Sequence, residues 1–134
     1  MRLLGIDYGH KKVGLALSDE GGRFAFPHNT WPNDKFLVGK IKELCAREKV
    51  GLIVVGESLD LSGRPNPLMR EIEKFEDLLK QKIGLPLARE REFFSSWEAK
   101  RIIDEEQTDP LTDARAAALI LKSYIDRQGN AEVV

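Results

Sequence analysis

The sequence has few of the features that mark secreted, membrane or disulfide-stabilised proteins. Its 134 residues include one cysteine, Cys45, which excludes an intrachain disulfide and any zinc site built on a CxxC pair. Its apolar runs stay far below the roughly 20 residues of a membrane span. The N-terminal apolar stretch ends at the acidic Asp7, which argues against a signal peptide. These absences predict a cytoplasmic protein that does not contact a membrane.

Neither sign of charge dominates the composition. The chain has 21 Lys and Arg against 22 Asp and Glu, for a net charge of −1. A nucleic-acid-binding protein of this composition would have to concentrate its basic residues on one face. With 42% hydrophobic and 32% charged residues, the chain has a globular rather than a disordered composition. Its length predicts a single domain over residues 1–134, with a core large enough to fold without a structural metal.

Short apolar segments predict five strands. The first three, at residues 2–8, 12–18 and around 23–28, are joined by short turns and should form an antiparallel meander. Residues 51–56 form a continuous apolar run, which is typical of a strand buried on both faces. A short strand is expected at residues 85–89.

Helical periodicity begins after the meander. One helix carries a buried stripe that includes Cys45, which we interpret as core packing rather than a reactive thiol. The predicted caps are Asn33 or Asp34 for this helix, Asn66 with Pro67 for the second, Ser95 for the third and Asp109 with Pro110 for a last helix that ends near Arg127. Helical crossovers make the later strands parallel. The sequence therefore predicts an α/β fold, with one five-stranded mixed sheet and helices on both faces.

Three acidic residues stand in apolar surroundings. Asp7 ends the first strand, Glu92 follows the last strand, and Asp113 lies in the first turns of the last helix. The residues four, seven and eleven positions after Asp113 are apolar or aromatic, which places this acid on a stripe that faces the core. Each acid also has an ordinary interpretation, as a turn residue, as an ion-pair partner of Arg89 or Arg91, or as a partner of the helix dipole.

The predicted fold allows these three acids to meet at one edge of the sheet. Carboxylates that lie close together raise each other's pKa unless a cation compensates their charge. Mg²⁺ is usually held by one or two protein carboxylates together with water and substrate phosphate. Two such ions about 4 Å apart activate a water molecule and stabilise the leaving oxygen of a phosphodiester. The three acids therefore indicate metal-assisted phosphoryl chemistry.

Several segments in a fixed order carry a resemblance to a known family. The opening motif GIDYGHKKVGLA, at residues 5–16, resembles that of the YqgF family of small RNase H-like proteins, which are described as pre-16S rRNA nucleases and as Holliday junction resolvase-like proteins. The other matching segments are residues 53–56, 59–63, 85–86, 95–99 and 113–124. The resemblance spans nearly the whole chain.

This resemblance implies an RNase H-like fold and a hydrolase that cleaves phosphodiester bonds in structured nucleic acid with Mg²⁺ or Mn²⁺, held as two ions. The family's catalytic carboxylates correspond to Asp7, Glu92 and Asp113, and Asp7 would bridge the metals. Lys11 and Lys12 are the candidates for phosphate contacts. The implied substrate is the 5′ end of pre-16S rRNA, with branched DNA as the alternative. A resolvase would act as a homodimer, whereas an enzyme that trims rRNA could be a monomer.

The sequence also departs from the family pattern. Phe93 follows Glu92 where the family has arginine, and His10 replaces a small hydroxylated residue. Phenylalanine cannot bind phosphate, so Arg89 or Arg91 becomes a candidate substitute for the lost arginine. A binding protein that keeps the fold without turnover is therefore a second hypothesis.

Overall fold

The computed structural model describes residues 1–58, 67–92 and 110–132. Within these ranges five strands and three helices follow the chain. They are β1 (Arg2–Tyr8), β2 (Lys12–Ser18), β3 (Ala25–Pro32), α1 (Leu37–Glu48), β4 (Val50–Ser58), α2 (Leu68–Lys82), β5 (Leu87–Glu92) and α3 (Pro110–Glu132). No helix in this part of the chain is both long and apolar enough to cross a membrane.

The strands form one mixed sheet in the order β3-β2-β1-β4-β5. β1, β2 and β3 pair antiparallel, whereas β1, β4 and β5 run parallel. The predicted α/β architecture, an antiparallel meander followed by parallel strands, is confirmed. β1 is the central strand, so the end of β1 lies at the middle of one sheet edge.

Side chains alternate between the two faces of the sheet and build two cores. Leu4 and Ile6 of β1 pack with the buried residues of α1 and α2, and Cys45 is buried in this core as predicted. Burial raises the pKa of the Cys45 thiol to about 11, because the charged thiolate loses its hydration there. On the other face, Leu3 packs with apolar residues of α3. The helices therefore cover both faces, and Asp7 shares the face of Leu3.

Three element boundaries differ from those predicted. β3 begins at Ala25 and continues to Pro32, because it stays paired with β2 as far as Lys12. β5 runs over Leu87–Glu92 rather than residues 85–89, because its pairing with β4 continues to Ser58. Glu92 therefore ends a strand instead of lying in a loop. α3 continues five residues beyond the predicted end near Arg127, to Glu132.

The ends of α1 and α2 follow the predicted chemistry only in part. α1 has no side-chain cap of its own, but Asp34 Oδ1 accepts a hydrogen bond from the Phe36 N–H at 2.9 Å, just before the helix begins. Asn33 instead forms hydrogen bonds with the turn between β1 and β2. α2 ends as predicted at Gly84, whose φ of 76° favours glycine. Asn66, Phe93 and the helix predicted to begin at Ser95 lie outside the described residues.

Candidate active site

Asp7 is a buried carboxylate near the end of the central strand. It is 4% exposed and lies on the same face of β1 as Leu3 and Gly5, the face that α3 covers. In the antiparallel pairing with β2, Asp7 stands directly opposite Gly14. Residues opposite each other in this way lie about 4.5–5.5 Å apart and point to the same face. Residues that contact Gly14 therefore also lie near Asp7.

Gly14 brings Asp113 to this position. A Cβ placed on Gly14 would lie 2.0 Å from the carbonyl oxygen of Asp113 and 3.0 Å from the backbone nitrogen of Ala114. The first turn of α3 thus rests directly on the backbone of β2, in space that only glycine leaves open. Since Gly14 stands opposite Asp7, the structure brings Asp7 and Asp113 together. Asp113 is half-buried, as its position on a stripe facing the core predicted.

A second close approach fixes the direction of α3. A Cβ on Gly5 would lie 2.9 Å from both the carbonyl oxygen of Ala117 and Cβ of Leu121. Gly5 belongs to β1 and Gly14 to β2, so the helix crosses these two strands as it leaves the site. Gly5 and Gly14 therefore set both the height of α3 above the sheet and the direction in which it runs.

The backbone places Glu92 on the face of the sheet that carries Asp7. Glu92 stands opposite Ser58 at the end of β5, and it alternates with Arg91, which lies on the other face. One strand, β4, separates β5 from β1. The side chain of Glu92 is outside the described set. Arg91 is exposed on an edge strand and points away from Asp7, so it could meet only a substrate that passes around that edge.

Lys11 lies in the turn between β1 and β2, Lys12 begins β2, and Asn33 holds the turn in place. Asn33 Nδ2 donates a hydrogen bond to the Gly9 carbonyl oxygen at 2.8 Å, and its backbone N–H donates to the Lys11 carbonyl oxygen at 2.9 Å. Both lysines are exposed. The turn directly follows the strand that carries Asp7, so two cations stand beside the acidic site on an anchored support.

His10 contacts α2 across the same turn. Its Nδ1 lies 3.2 Å from each carboxylate oxygen of Glu71, and both side chains are largely exposed. This contact ties the turn to the first part of α2. An exposed pair of this kind contributes only about 0–1 kcal/mol to stability.

The sequence did not reveal two side-chain contacts that hold β5, a hydrogen bond on one face and a salt bridge on the other. Glu90 is buried on the α3 face, where its Oε2 accepts a hydrogen bond from Ser123 Oγ at 2.7 Å. On the other face, Glu76 of α2 forms a 2.6 Å salt bridge with Arg89, and this hydrogen-bonded carboxylate raises the pKa of the Arg89 guanidinium. The alternation along Leu87–Glu92 could have indicated that Glu90 faces inward with Ala88, but the charged residues on both faces obscured it.

The donor set fits a hard divalent cation. Asp7 and Asp113 are two acidic residues whose backbones lie close together, and two carboxylates is the number that Mg²⁺ commonly takes from a protein. Among the side chains that the structure describes, no group of three potential ligands is found. The third acid, Glu92, is outside that set, but its backbone is on the same face of the sheet.

Curated relatives match the chain over nearly its whole length. A protein of Syntrophus aciditrophicus is 36% identical over 136 residues, covering 94% of this chain and 89% of the relative. One from Nitratidesulfovibrio vulgaris is 33% identical, covering 100% of this chain and 90% of the relative. Both carry the name "Putative pre-16S rRNA nuclease".

Solved structures share the fold at low sequence identity. Thermus thermophilus RuvC in complex with a Holliday junction substrate superposes with a TM-score of 0.63 at 16% identity, and 96% of each chain is covered. The Fowlpox virus resolvase, also solved with Holliday junction DNA, has a TM-score of 0.59 at 12% identity, covering 96% of this chain and 99% of the other. These similarities confirm the predicted RNase H-like fold.

The family assignment rests on the sequence itself. The sequence profile of the family described as "RuvX: Holliday junction resolvase" matches residues 1–127. That range includes both halves of the site, the strand that ends near Asp7 and the helix that begins near Asp113. The chain therefore belongs to the RuvX family, which confirms the resemblance drawn from its motifs.

Proposed function

We propose that this protein is a divalent-metal-dependent nuclease that hydrolyses phosphodiester bonds in structured nucleic acid, with the 5′ end of pre-16S rRNA as its substrate. The observation that carries this proposal is the contact of α3 with Gly14, which brings Asp113 to the buried Asp7. Full-length similarity to relatives named as pre-16S rRNA nucleases supports the choice of substrate.

Asp7, Glu92 and Asp113 would hold the Mg²⁺ or Mn²⁺ ions. When bound, such ions activate a water molecule and stabilise the leaving oxygen of the phosphodiester. The chain itself supplies the orientation. Burial keeps the Asp7 carboxylate in one place, and the glycine contacts of α3 keep Asp113 beside it. A site held in this way needs little rearrangement before reaction.

Lys11 and Lys12 would bind the phosphates that flank the cleaved bond. Lys11 lies in the anchored turn that follows β1 and Lys12 begins β2, so a nucleic-acid strand that reaches Asp7 would pass the segment that carries both lysines. Arg91 would contact phosphate only where the substrate bends around the β5 edge. The sequence-neutral contacts of lysine suit an enzyme that recognises a folded shape.

Cleavage of branched DNA is the second candidate, because the family is described as a Holliday junction resolvase. Two cuts placed symmetrically across a junction would require two copies of this chain. Binding without turnover is the third candidate, on account of Phe93. The same experiment separates all three.

The test compares cleavage of a labelled pre-rRNA 5′ fragment, single-stranded RNA and a four-way DNA junction, each with Mg²⁺, Mn²⁺ or EDTA. Asp7→Asn and Asp113→Asn remove the two acids, and Asp77→Asn removes an exposed acid of α2 as the matched control. We expect metal-dependent cutting of the pre-rRNA fragment that both site variants lose and the control keeps. Preferential cutting of the junction would show that branched DNA, and not pre-rRNA, is the substrate. Binding with no cutting under either metal would refute the nuclease.

A further inference from the structure

A third contact holds α3 to the sheet, on β5 rather than on the strands that carry Gly14 and Gly5. Glu90 of β5 has a side chain only 6% exposed, and its two oxygens meet two residues of α3. Oε2 accepts the hydrogen bond from Ser123 Oγ at 2.7 Å. Oε1 lies 2.6 Å from Arg127 Nη2, at an angle that gives no hydrogen bond within the described residues, so this half of the contact is an ion pair. We call Glu90, Ser123 and Arg127 the Glu90 clamp.

The two helix residues of the Glu90 clamp are arranged to meet one carboxylate. Ser123 and Arg127 are four positions apart and therefore lie on one side of α3, one turn apart. The guanidinium of Arg127 also lies over the ring of Tyr124, at 5.9 Å from the ring centroid. A buried carboxylate with partners on one helix face fixes the rotation of that helix about its axis. An apolar residue at position 90 could be buried equally well, but it would not fix the rotation of α3.

The Glu90 clamp holds the end of α3 opposite to the acidic site. The helix meets β2 at Gly14, β1 at Gly5 and β5 at Glu90. Ten residues of helix between Asp113 and Ser123 span about 15 Å, and the three strand spacings from β2 to β5 span about 14 Å. The helix thus reaches from β2 to β5 and is held at three points along its length. The Gly14 and Gly5 contacts set its height and direction, and the Glu90 clamp adds a third fixed point on β5.

The Glu90 clamp supports a strand that has less support from neighbouring strands than β2, β1 and β4 have. Among the strands that the structure describes, β5 lies at the edge of the sheet and pairs with β4 alone. Its first face is held by the Arg89–Glu76 pair, in which Arg89 Nε lies 3.1 and 3.0 Å from the two carboxylate oxygens. Its second face is held by the Glu90 clamp. Glu92 follows two residues later, roughly 7 Å along the strand.

We propose that the Glu90 clamp is a positioning device that sets the distance between Glu92 on β5 and Asp113 on α3. It touches neither substrate nor metal. It acts through those two acids and thereby sets the affinity of the site for the divalent cation. This inference rests on the proposed function, because it assumes that both acids bind the same metal centre.

The test uses Ser123→Ala and Arg127→Met in the 134-residue chain, with Arg127→Lys as the conservative variant. Lys122 and Asp126 supply the matched control, since they form a 3.1 Å pair on the same helix with side chains 67% and 60% exposed. The control variant is Lys122→Met. The Mn²⁺ concentration for half-maximal cleavage is measured for this control and for the three variants of the Glu90 clamp. Mn²⁺ binding without nucleic acid, by electron paramagnetic resonance, and thermal unfolding are measured alongside.

We expect Ser123→Ala and Arg127→Met to raise the half-maximal Mn²⁺ concentration about 10-fold or more, which is the usual effect of removing a residue that orients metal ligands. The dissociation constant for Mn²⁺ should rise in parallel. Arg127→Lys should fall between Arg127→Met and the wild type, and Lys122→Met should match the wild type. A loss of thermal stability with unchanged Mn²⁺ constants would show a merely structural contact and overturn the proposal.

Failure of the proposed function gives a different pattern. A wild-type protein that binds Mn²⁺ but cuts no substrate refutes the nuclease, and the Mn²⁺ dissociation constants alone then decide the role of the Glu90 clamp. A wild-type protein that binds no Mn²⁺ refutes both.

Discussion

Replacing Gly14 with alanine tests whether the close approach of α3 positions the site. The new Cβ would lie 2.0 Å from the carbonyl oxygen and 2.3 Å from the carbonyl carbon of Asp113. Both atoms belong to the backbone, so no side-chain rotation relieves the clash. The first turn of α3 must therefore move by about 1 Å to restore ordinary contact. This displacement carries Asp113 away from Asp7.

The expected magnitudes separate positioning from stability. Overpacking of this kind destabilises a protein by about 1–3 kcal/mol, which lowers the melting temperature of a 134-residue chain by roughly 4–11 °C. A displacement of about 1 Å in a catalytic group lowers the rate by about 100-fold. At 25 °C the variant should therefore remain folded and lose most of its activity.

The assay is metal-dependent cleavage of the pre-rRNA fragment, with thermal unfolding by circular dichroism measured on the same samples. Gly39→Ala is the matched control, because a Cβ there meets nothing within 4 Å. Gly39 lies in α1, so this control should gain about 0.5–1 kcal/mol and keep full activity. Wild-type activity and stability in Gly14→Ala would refute the close approach of α3 to β2 and, with it, the placement of Asp113 beside Asp7.

Three further predictions concern contacts around the site. Asn33→Ala removes the hydrogen bond to Gly9 and should weaken nucleic-acid binding severalfold, measured by fluorescence anisotropy in EDTA; an unchanged affinity would contradict a role for the turn. Arg89→Met leaves Glu76 buried without its cation and should cost about 1–3 kcal/mol in urea unfolding, less than for a fully buried pair because Arg89 is 43% exposed; an unchanged midpoint would contradict this. The pKa of Cys45 is raised from 9.0 to about 11, so the unfolded thiol ionises first and stability should fall between pH 9 and 11. That fall should be smaller in Cys45→Ala, and equal falls would show that the thiol does not contribute.

The sequence predicted those parts of the fold in which apolar periodicity is strong. β1, β2 and β4 carry apolar runs and α1 carries an apolar stripe, and all four were predicted at nearly their observed positions. The acids Asp7 and Asp113 were noticed because each interrupts such a pattern. Their proximity could not be derived, because it depends on a backbone contact at Gly14 between segments about 100 residues apart.

The edge strand β5 shows why the rest was missed. Its sequence LARERE has charged residues on both faces, so it contains neither an apolar run nor a polar alternation. Each inward-facing charge is compensated by a residue of another element, Glu76 for Arg89 and Ser123 with Arg127 for Glu90. Such pairs are fixed by tertiary packing, and no local pattern reports them.

The two edge strands have a consequence for how copies of this protein can associate. β3 contains Pro27 and Pro32, which have no backbone N–H to offer an added strand. β5 carries alternating positive and negative side chains along its length. Prolines and charges at exposed edges oppose the pairing of one sheet with another. Among the strands that the structure describes, neither edge favours the addition of a strand from another copy, so a dimer that cuts two nucleic-acid strands would form through helix or loop surfaces.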